Sequence, residues 1–241
     1  MPFDDVRDYL DNGRTGVVIP VGTVEPHGPH LPMGTDNLLA QSIGEFIAER
    51  FDWLIAPTLN YGINNSLAIY PGATTIDPLV YREFVSHVVE GYIKLGFLNV
   101  VINNGHGGNT QELYQIAKDL TRAYPVARII VVDWWGLDAS AIERVYKGKT
   151  AGHAGIDETA AVVYFHNDLV HPERFSGEND YWVNTDGFKA QPLPASCILQ
   201  DEKSVPDFDE KKANEFMTEV LENICGKISD ALKRWAHNFG D

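Results

Sequence analysis

Carboxylate and imidazole side chains lie at close spacing in three segments rich in glycine or proline. The first cluster, residues 22–36, has Glu25 and His27 two positions apart and ends at Asp36. Because alternate side chains of an extended segment point to the same side, Glu25 and His27 can face a common centre. Oxygen and nitrogen donors of this kind suit Zn²⁺, Mn²⁺ or Fe²⁺. This cluster favours a metal site over a proline-rich turn that ends in a capping aspartate.

The second cluster, residues 103–109, places His106 among three glycines. Glycine lets a ligand approach the backbone closely, and N–H groups at the start of the next helix can hold an anion. The segment matches neither the P-loop nor the dinucleotide fingerprint. By itself it is equally compatible with a metal-binding histidine and with a tight strand-to-helix turn.

The third cluster, residues 152–159, contains His153 and Glu158. Glu158 falls in the first turn of a predicted helix, where the helix dipole alone favours a carboxylate. Taken without the other two clusters, this segment therefore indicates helix capping.

Strands alternate with helices along the chain, and this alternation predicts where the clusters lie. Apolar runs predict strands at residues 15–22, 52–59, 99–103 and 128–134. Helical spacing predicts helices at 37–51, 78–95, 109–124, 158–166 and 210–237, with loops over 167–209. The pattern predicts one α/β domain over residues 1–241, with three α/β/α layers and a mostly parallel central sheet. Ligands bind beyond the carboxyl ends of such strands, so the three clusters should converge there.

Composition excludes several classes of function. The 241 residues include 34 acidic and 19 basic side chains, for a net charge of −15. Nucleic acids and anionic membrane surfaces need a basic footprint, and no apolar run reaches the roughly 18–20 residues of a membrane span. Cys197 and Cys225 form neither a disulfide framework nor a CxxC motif. We expect a cytoplasmic protein without nucleic-acid or membrane partners.

The three clusters, together with YPGATTI at 70–76, resemble the creatininase (creatinine amidohydrolase) family over about residues 15–165. The resemblance implies an α/β fold, two divalent metal ions per chain and a homo-oligomer, which we expect to be a hexamer. It also implies that metal ligands lie at four positions, with the third bridging both ions: Glu25, His27, Asp36 and His106.

Two positions depart from the family's pattern. Creatinine-hydrolysing members carry a metal-binding glutamate at the position of Gly108, and a histidine commonly stands at the position of Leu67. Both differences argue against creatinine as the substrate. With Gly108, the second ion would hold only His27 and Asp36, whereas catalytic ions usually have three protein ligands. We therefore predict that Glu158 supplies the missing ligand.

The resulting functional prediction is metal-assisted hydrolysis of a C–N bond in a small cyclic amide or formamide. The expected proton donor to the leaving nitrogen is His153, because imidazole titrates near neutral pH. Backbone N–H groups near Gly107 and Gly108 are expected to hold the developing negative charge. His30 is expected to anchor the loop or to lie behind the ligands.

Three alternatives remain open from the sequence. A deformylase of a nucleotide-like formamide would need a cationic pocket, for which the available side chains are Arg82, Lys147, Lys149 and Lys189. Another possibility is a family relative that opens a different small ring. The third is a metal-binding module without catalysis.

Two apolar features predict the interface of the expected homo-oligomer. One is the aromatic-rich stretch at residues 181–188, and the other is the apolar face of the final helix. Symmetric closed assemblies are the norm among homo-oligomers. Trp134, Trp135, Tyr181 and Trp182 are also candidates for the wall of a small-molecule pocket.

Overall fold

A four-stranded parallel sheet with the order β2-β1-β3-β4 forms the centre of the computed structural model. The structure describes residues 2–177, 180–183, 185, 187–199 and 202–239. The strands are β1 (Gly16–Val21), β2 (Leu54–Ile55), β3 (Asn99–Asn104) and β4 (Arg128–Asp133). Val21 pairs with Asn104, which in turn pairs with Asp133, so three strands end level with one another. The residues that follow them therefore meet at one edge.

Helices cover both faces of this sheet. They are α1 (Phe3–Asp11), α2 (Thr35–Phe51), α3 (Pro78–Lys94), α4 (Thr110–Ala123), α5 (Ala139–Val145), α6 (Ile156–His166) and α7 (Glu210–Phe239). On one face, Ile19 of β1 joins a buried apolar cluster with α3 and α4, and on the other Val18 joins a cluster with α2, α6 and α7. Burial of all six β1 residues follows from this double cover. The predicted α/β fold with a mostly parallel central sheet is confirmed.

Helix α3 has the predicted boundaries to within a residue. The Asp77 side chain accepts hydrogen bonds from the backbone N–H groups of Leu79 and Val80, and Pro78 occupies the first helical position. Gly96, with φ of 105°, follows the helix end.

The alternative in which Asp36 only caps the next helix is wrong. Helix α2 begins at Thr35 after Gly34, and Gly34 makes no side-chain cap. Asp36 therefore lies inside the first turn, where its carboxylate is buried against two histidines instead of bonding to the N–H groups of its own helix.

Other strand boundaries differ from the prediction, because the local sequence pattern does not determine which segments pair in a sheet. The predicted strand at 52–59 is reduced to two residues, after which Ala56 and Leu59 bond singly to β1. The region 167–209, predicted as loop, contains the parallel strands β5 (Tyr181–Val183) and β6 (Cys197–Leu199). Helices α1 and α5 were not predicted.

The apolar face of α7 is used within the chain. Phe216, Val220, Ile224 and Ile228 are at most 1% exposed and pack in the cluster shared with α5 and α6. The prediction that the apolar face of the final helix contributes to the oligomer interface is therefore wrong for these four side chains. Within the described parts of the chain, no helix is both long and apolar enough to cross a membrane.

Candidate metal centre

The loops after β1 and β3 and the start of α6 bring carboxylates and imidazoles together. Three groups of ligand atoms form, and within each group the atoms lie within 4.8 Å of one another. The groups are Glu25 with Asp36 and His106, His27 with Asp36 and Glu158, and Glu25 with His27 and His153. Asp36 belongs to the first two groups and so lies between them.

Two ligand atoms in these groups lie close to other ligand atoms but form no hydrogen bond with the described residues. His27 Nε2 lies 2.9 Å from Asp36 Oδ1 and 3.4 Å from Glu158 Oε2. His106 Nδ1 lies 3.0 Å from Asp36 Oδ2 and 3.1 Å from Glu25 Oε1. Among the described residues, neither His27 Nε2 nor Asp36 Oδ2 has a partner that meets the geometry of a hydrogen bond, although both atoms are buried. Converging donor atoms of this kind suit a shared divalent cation.

Backbone carbonyls orient the histidine rings. His27 Nδ1 lies 3.2 Å from the Glu25 carbonyl, and His106 Nε2 lies 2.8 Å from the Ile63 carbonyl. Since a carbonyl only accepts, each of these nitrogens carries the proton, and the opposite nitrogen keeps its lone pair in the neutral ring. The lone pairs therefore belong to His27 Nε2 and His106 Nδ1, the two atoms that face the carboxylates. Such outer hydrogen bonds accompany metal-binding histidines in general.

Electrostatics in the metal-free chain follow from this packing. Burial lowers the pKa of His27 and His106, but the neighbouring carboxylates outweigh it and hold both pKa values well above the ordinary one. Burial raises the pKa of Asp36 and Glu158, but the charge of His27 outweighs it and lowers both. Protonated histidines thus balance the carboxylates, and a divalent cation would replace those protons.

Glu158 is held toward His27 by the loop before α6. The backbone N–H of Ala154 donates to Glu158 Oε2 at 2.5 Å, and Ala154 has a left-handed φ of 51°. Strain of this kind persists where the surroundings require it. The adjacent Asp157 accepts a hydrogen bond from the Gly152 N–H, and burial raises its pKa well above the ordinary value. A role for Glu158 as a metal ligand is compatible with this geometry and stays a prediction.

His153 lies beside the same group. Its Nε2 donates to the Pro26 carbonyl at 2.9 Å, and its Nδ1 lies 3.5 Å from Glu25 Oε1. Its ring centroid is 4.3 Å from that of His27. The predicted catalytic side chain is therefore at the pocket, with one nitrogen directed toward the carboxylates.

His30 has a different place. It is fully buried, and its Nε2 lies 3.1 Å from the Thr159 hydroxyl, which ties the first cluster to the third. Burial lowers its pKa to about 4, with a further contribution from the charge of His27. The ring is therefore neutral at pH 7, and its contact with Thr159 is compatible with the expected role as a loop anchor.

Glycines in the second cluster permit close backbone packing. A side chain at Gly108 would collide with the Ile63 carbonyl and His106 Nε2, and one at Gly105 would collide with the Asp36 carbonyl. A Cβ added at Gly107, in contrast, would lie 4.0 Å from its nearest described neighbour, the ring of Trp135. No carboxylate can therefore come from position 108 while Ile63 occupies this place.

A pocket of about 470 Å³ opens over the candidate ligands. We call its wall the lining residues 63–67, Gly105, Gly107, Gly108, Trp135, Ala151, Gly152 and Ile198. We call its floor the acidic and imidazole residues of the lining, which are Glu25, Asp36, His106, His153, Asp157 and Glu158. Trp135 thus matches the predicted aromatic wall, whereas Trp134 is fully buried, and Tyr181 and Trp182 are not part of the lining. Sequence reasoning missed Asn64 and Ile198, although residues 61–77 are rich in Asn, Gly, Pro and Ser, a composition typical of loops that carry function.

Comparison with known proteins supports one family. Residues 1–224 match the creatininase family, described as creatinine amidohydrolase. The chain is 26% identical over 178 residues to a creatinine amidohydrolase of Pseudomonas putida, covering 67% of this chain and 68% of that protein. It is 28% identical over 172 residues to a mycofactocin precursor peptide peptidase of Mycobacterium ulcerans, covering 68% and 63%. It is 27% identical over 183 residues to a 3-dehydro-scyllo-inosose hydrolase of Thermotoga maritima, covering 72% and 57%.

Solved structures show the same fold. A crystal structure of creatininase superimposes with a TM-score of 0.82 at 22% identity, covering 95% of both chains. A Zn-Zn form of a creatininase mutant gives a TM-score of 0.79 at 21% identity, and a manganese form gives 0.78 at 21%. Each covers 95% of this chain and at least 95% of the other. From the match over residues 1–224 and the shared fold, the chain belongs to the creatininase family of amidohydrolases.

Proposed function

We propose that this chain is a metal-dependent amidohydrolase that cleaves a C–N bond of a small cyclic amide or formamide. The observation that carries the proposal is the pair of ligand groups that share Asp36 at the floor of the pocket. Two divalent ions, zinc, manganese or iron, would be held by Glu25, Asp36 and His106 and by His27, Asp36 and Glu158. Similarity to a creatinine amidohydrolase supports the reaction class.

When bound, such ions supply a Lewis acid and lower the pKa of water. The chain's own groups then position and protonate the substrate. His153 donates through Nε2 to the Pro26 carbonyl, so its Nδ1 is the atom that would carry a proton to the leaving nitrogen. The N–H groups of Gly107 and Gly108 begin the helical turn at the pocket wall, where they would hold negative charge on the carbonyl oxygen.

A second candidate is the opening of another small ring, and the match to a 3-dehydro-scyllo-inosose hydrolase favours it. A nucleotide deformylase has less support, because none of the described residues that line the pocket is a lysine or arginine. Trp135 and Leu67 make part of the wall apolar, which suits a small organic ring.

Metal analysis of the purified protein, followed by a screen of cyclic amides and formamides, tests the proposal. We expect activity to disappear after chelation and to return with zinc, manganese or iron. Full activity after exhaustive dialysis against a chelator would contradict the metal mechanism. Tight metal binding without hydrolysis of any compound would instead favour a non-catalytic metal-binding module.

The proposal extends to organisation. We propose one cytoplasmic domain over residues 1–241 that assembles as a homo-oligomer, and a hexamer is expected. In the predicted interface stretch, Tyr181 and Phe188 are 38% and 56% exposed, which supports their availability to another copy. Residues 184 and 186 of that stretch lie outside the described residues.

A further inference from the structure

The segment at residues 64–67, which lines the pocket with the candidate ligands, carries no positive charge. Residues 64–67, with the sequence Asn-Asn-Ser-Leu, contribute only amide, hydroxyl and alkyl side chains. The four basic candidates lie elsewhere: Arg82 pairs with Glu112, while Lys147, Lys149 and Lys189 are exposed and outside the lining. A phosphate or carboxylate on a substrate would therefore meet no lysine or arginine side chain among the described residues of the lining.

The floor of the pocket does not compensate for this. Glu25, Asp36 and Glu158 add three carboxylates to the lining, so its charged side chains are mainly acidic. The Asp157 carboxyl also lines the pocket. An anion that enters loses hydration without gaining an ion pair with a lysine or arginine side chain, so we expect it to bind less tightly than a neutral analogue. A neutral substrate avoids this cost.

Asn64 is a neutral hydrogen-bond donor without a partner in this wall. Its side chain is almost fully buried, and its Oδ1 accepts the Leu67 N–H at 3.1 Å. That hydrogen bond distinguishes Oδ1 from Nδ2, and Nδ2 has no partner among the described atoms. A buried amide N–H without an acceptor is unfavourable. The carbonyl oxygen of a bound amide would supply the acceptor.

Hydrogen bonds hold this segment in place at both ends. On one side, the Ile63 carbonyl accepts from His106 Nε2 at 2.8 Å, and the Ile63 N–H donates to Asn109 Oδ1 at 3.0 Å. On the other, the Leu193 N–H donates to the Ser66 carbonyl at 3.1 Å. The wall is therefore positioned before substrate arrives, which lowers the entropic cost of binding.

We propose that residues 64–67 form a neutral wall that selects an uncharged amide substrate, with Asn64 Nδ2 donating a hydrogen bond to it. This rests on the proposed amidohydrolase function and adds to it a substrate class and a residue that determines it. The chemistry is that of a lactam or formamide without phosphate or carboxylate groups.

Matched pairs of compounds test the selection by charge. Isothermal titration calorimetry of the metal-loaded protein would compare 2-pyrrolidinone with 5-oxoproline, and formanilide with 4-formamidobenzoate, while hydrolysis is followed separately. We expect the neutral member of each pair to bind about tenfold more tightly or better. Equal or tighter binding of the anionic members, or binding of none, would overturn the proposal. Binding without hydrolysis would contradict the proposed function alone.

Two substitutions test the wall itself. Asn65 is exposed, so Asn65→Arg should fold and should reduce or reverse the preference for the neutral member, whereas Asn65→Gln should keep it. Asn64→Asp preserves the acceptor for Leu67 but removes the donor, so we expect about tenfold weaker binding of 2-pyrrolidinone with unchanged metal content. An unchanged preference in Asn65→Arg, or unchanged binding in Asn64→Asp, would contradict the corresponding role.

Discussion

At the scale of single residues, we predict that the third ligand of the second ion is Glu158, from the cluster at residues 152–159. The cluster at residues 103–109 does not supply it. Its carboxylate faces His27 Nε2 at 3.4 Å and is oriented by the Ala154 N–H. Position 108 cannot replace it, because the Ile63 carbonyl lies where a side chain would begin. We therefore predict that the second ion depends on a residue far along the chain from the other candidate ligands.

We expect Glu158→Gln to lose about one metal ion per chain and most hydrolytic activity, because an amide is a weaker ligand than a carboxylate. Elemental analysis and turnover would measure the two effects. If Glu158 only capped α6, the loss would be about 1 kcal/mol of unfolding free energy and no metal. Glu173→Gln, on an exposed side chain, is the control. Full metal content with normal turnover in Glu158→Gln would disprove its role as a ligand.

At the scale of elements, the turn between β3 and α4 determines how closely the loop at Ile63 approaches. We expect Gly108→Ala to lower the free energy of unfolding by about 1–3 kcal/mol, because the added carbon collides with the Ile63 carbonyl and His106. Gly107→Ala is the matched control, since Trp135 at 4.0 Å leaves room for a methyl group. Urea denaturation would compare them. Equal stability of the two variants would contradict this packing argument.

The carboxyl of Asp138 is buried at the start of α5, so its effect on the free energy of unfolding depends on pH. Asp138 is 3% exposed, its Oδ2 has no hydrogen-bond partner in the described part of the chain, and burial raises its pKa from 3.8 to about 7. Between these values the folded chain holds a proton that the unfolded chain releases. The free energy of unfolding therefore falls with rising pH, by at most about 1.4 kcal/mol per pH unit from this group.

We expect Asp138→Asn to remove that contribution and to be more stable than the parent protein near pH 8. Denaturation midpoints measured from pH 4 to 8 would show the difference as a flatter profile. Asp168→Asn, at an exposed position, should leave the profile unchanged. A parallel profile for Asp138→Asn would show that this carboxyl does not titrate as its burial implies.

At the scale of the whole molecule, we predict that six copies of the chain assemble into a homohexamer. We expect light scattering to give a mass about six times the 26.8 kDa of the chain. Phe188→Asp should reduce that mass if the 181–188 stretch is at the interface, because it would bury a charge there. Phe3→Asp, on an exposed residue of α1, is the control. A mass near 26.8 kDa for the parent protein at dilute concentration would reject the oligomer.

The amino-acid sequence by itself determined the alternation of strands and helices and the residue types at the strand ends. Both are local properties. The spacing of apolar residues indicates which face of an element is buried. Asp77, Pro78 and Gly96 mark the ends of helix α3 through their own backbone preferences, which do not depend on distant parts of the chain. The family motifs are local in the same sense, which is why His27 and His106 were candidates before any contact was known.

Only the tertiary structure decided which atoms of those residues face one another. Asp36 lies between two ligand groups instead of capping α2, because the parallel register of β1 and β3 brings His106 beside it. The carbonyls that orient His27 and His106, and the unpartnered amide of Asn64, have no signature in sequence, since every residue carries a carbonyl and most asparagines are solvated. Their roles arise from long-range packing, in which Gly108 leaves space for Ile63 and so places the pocket wall over the site.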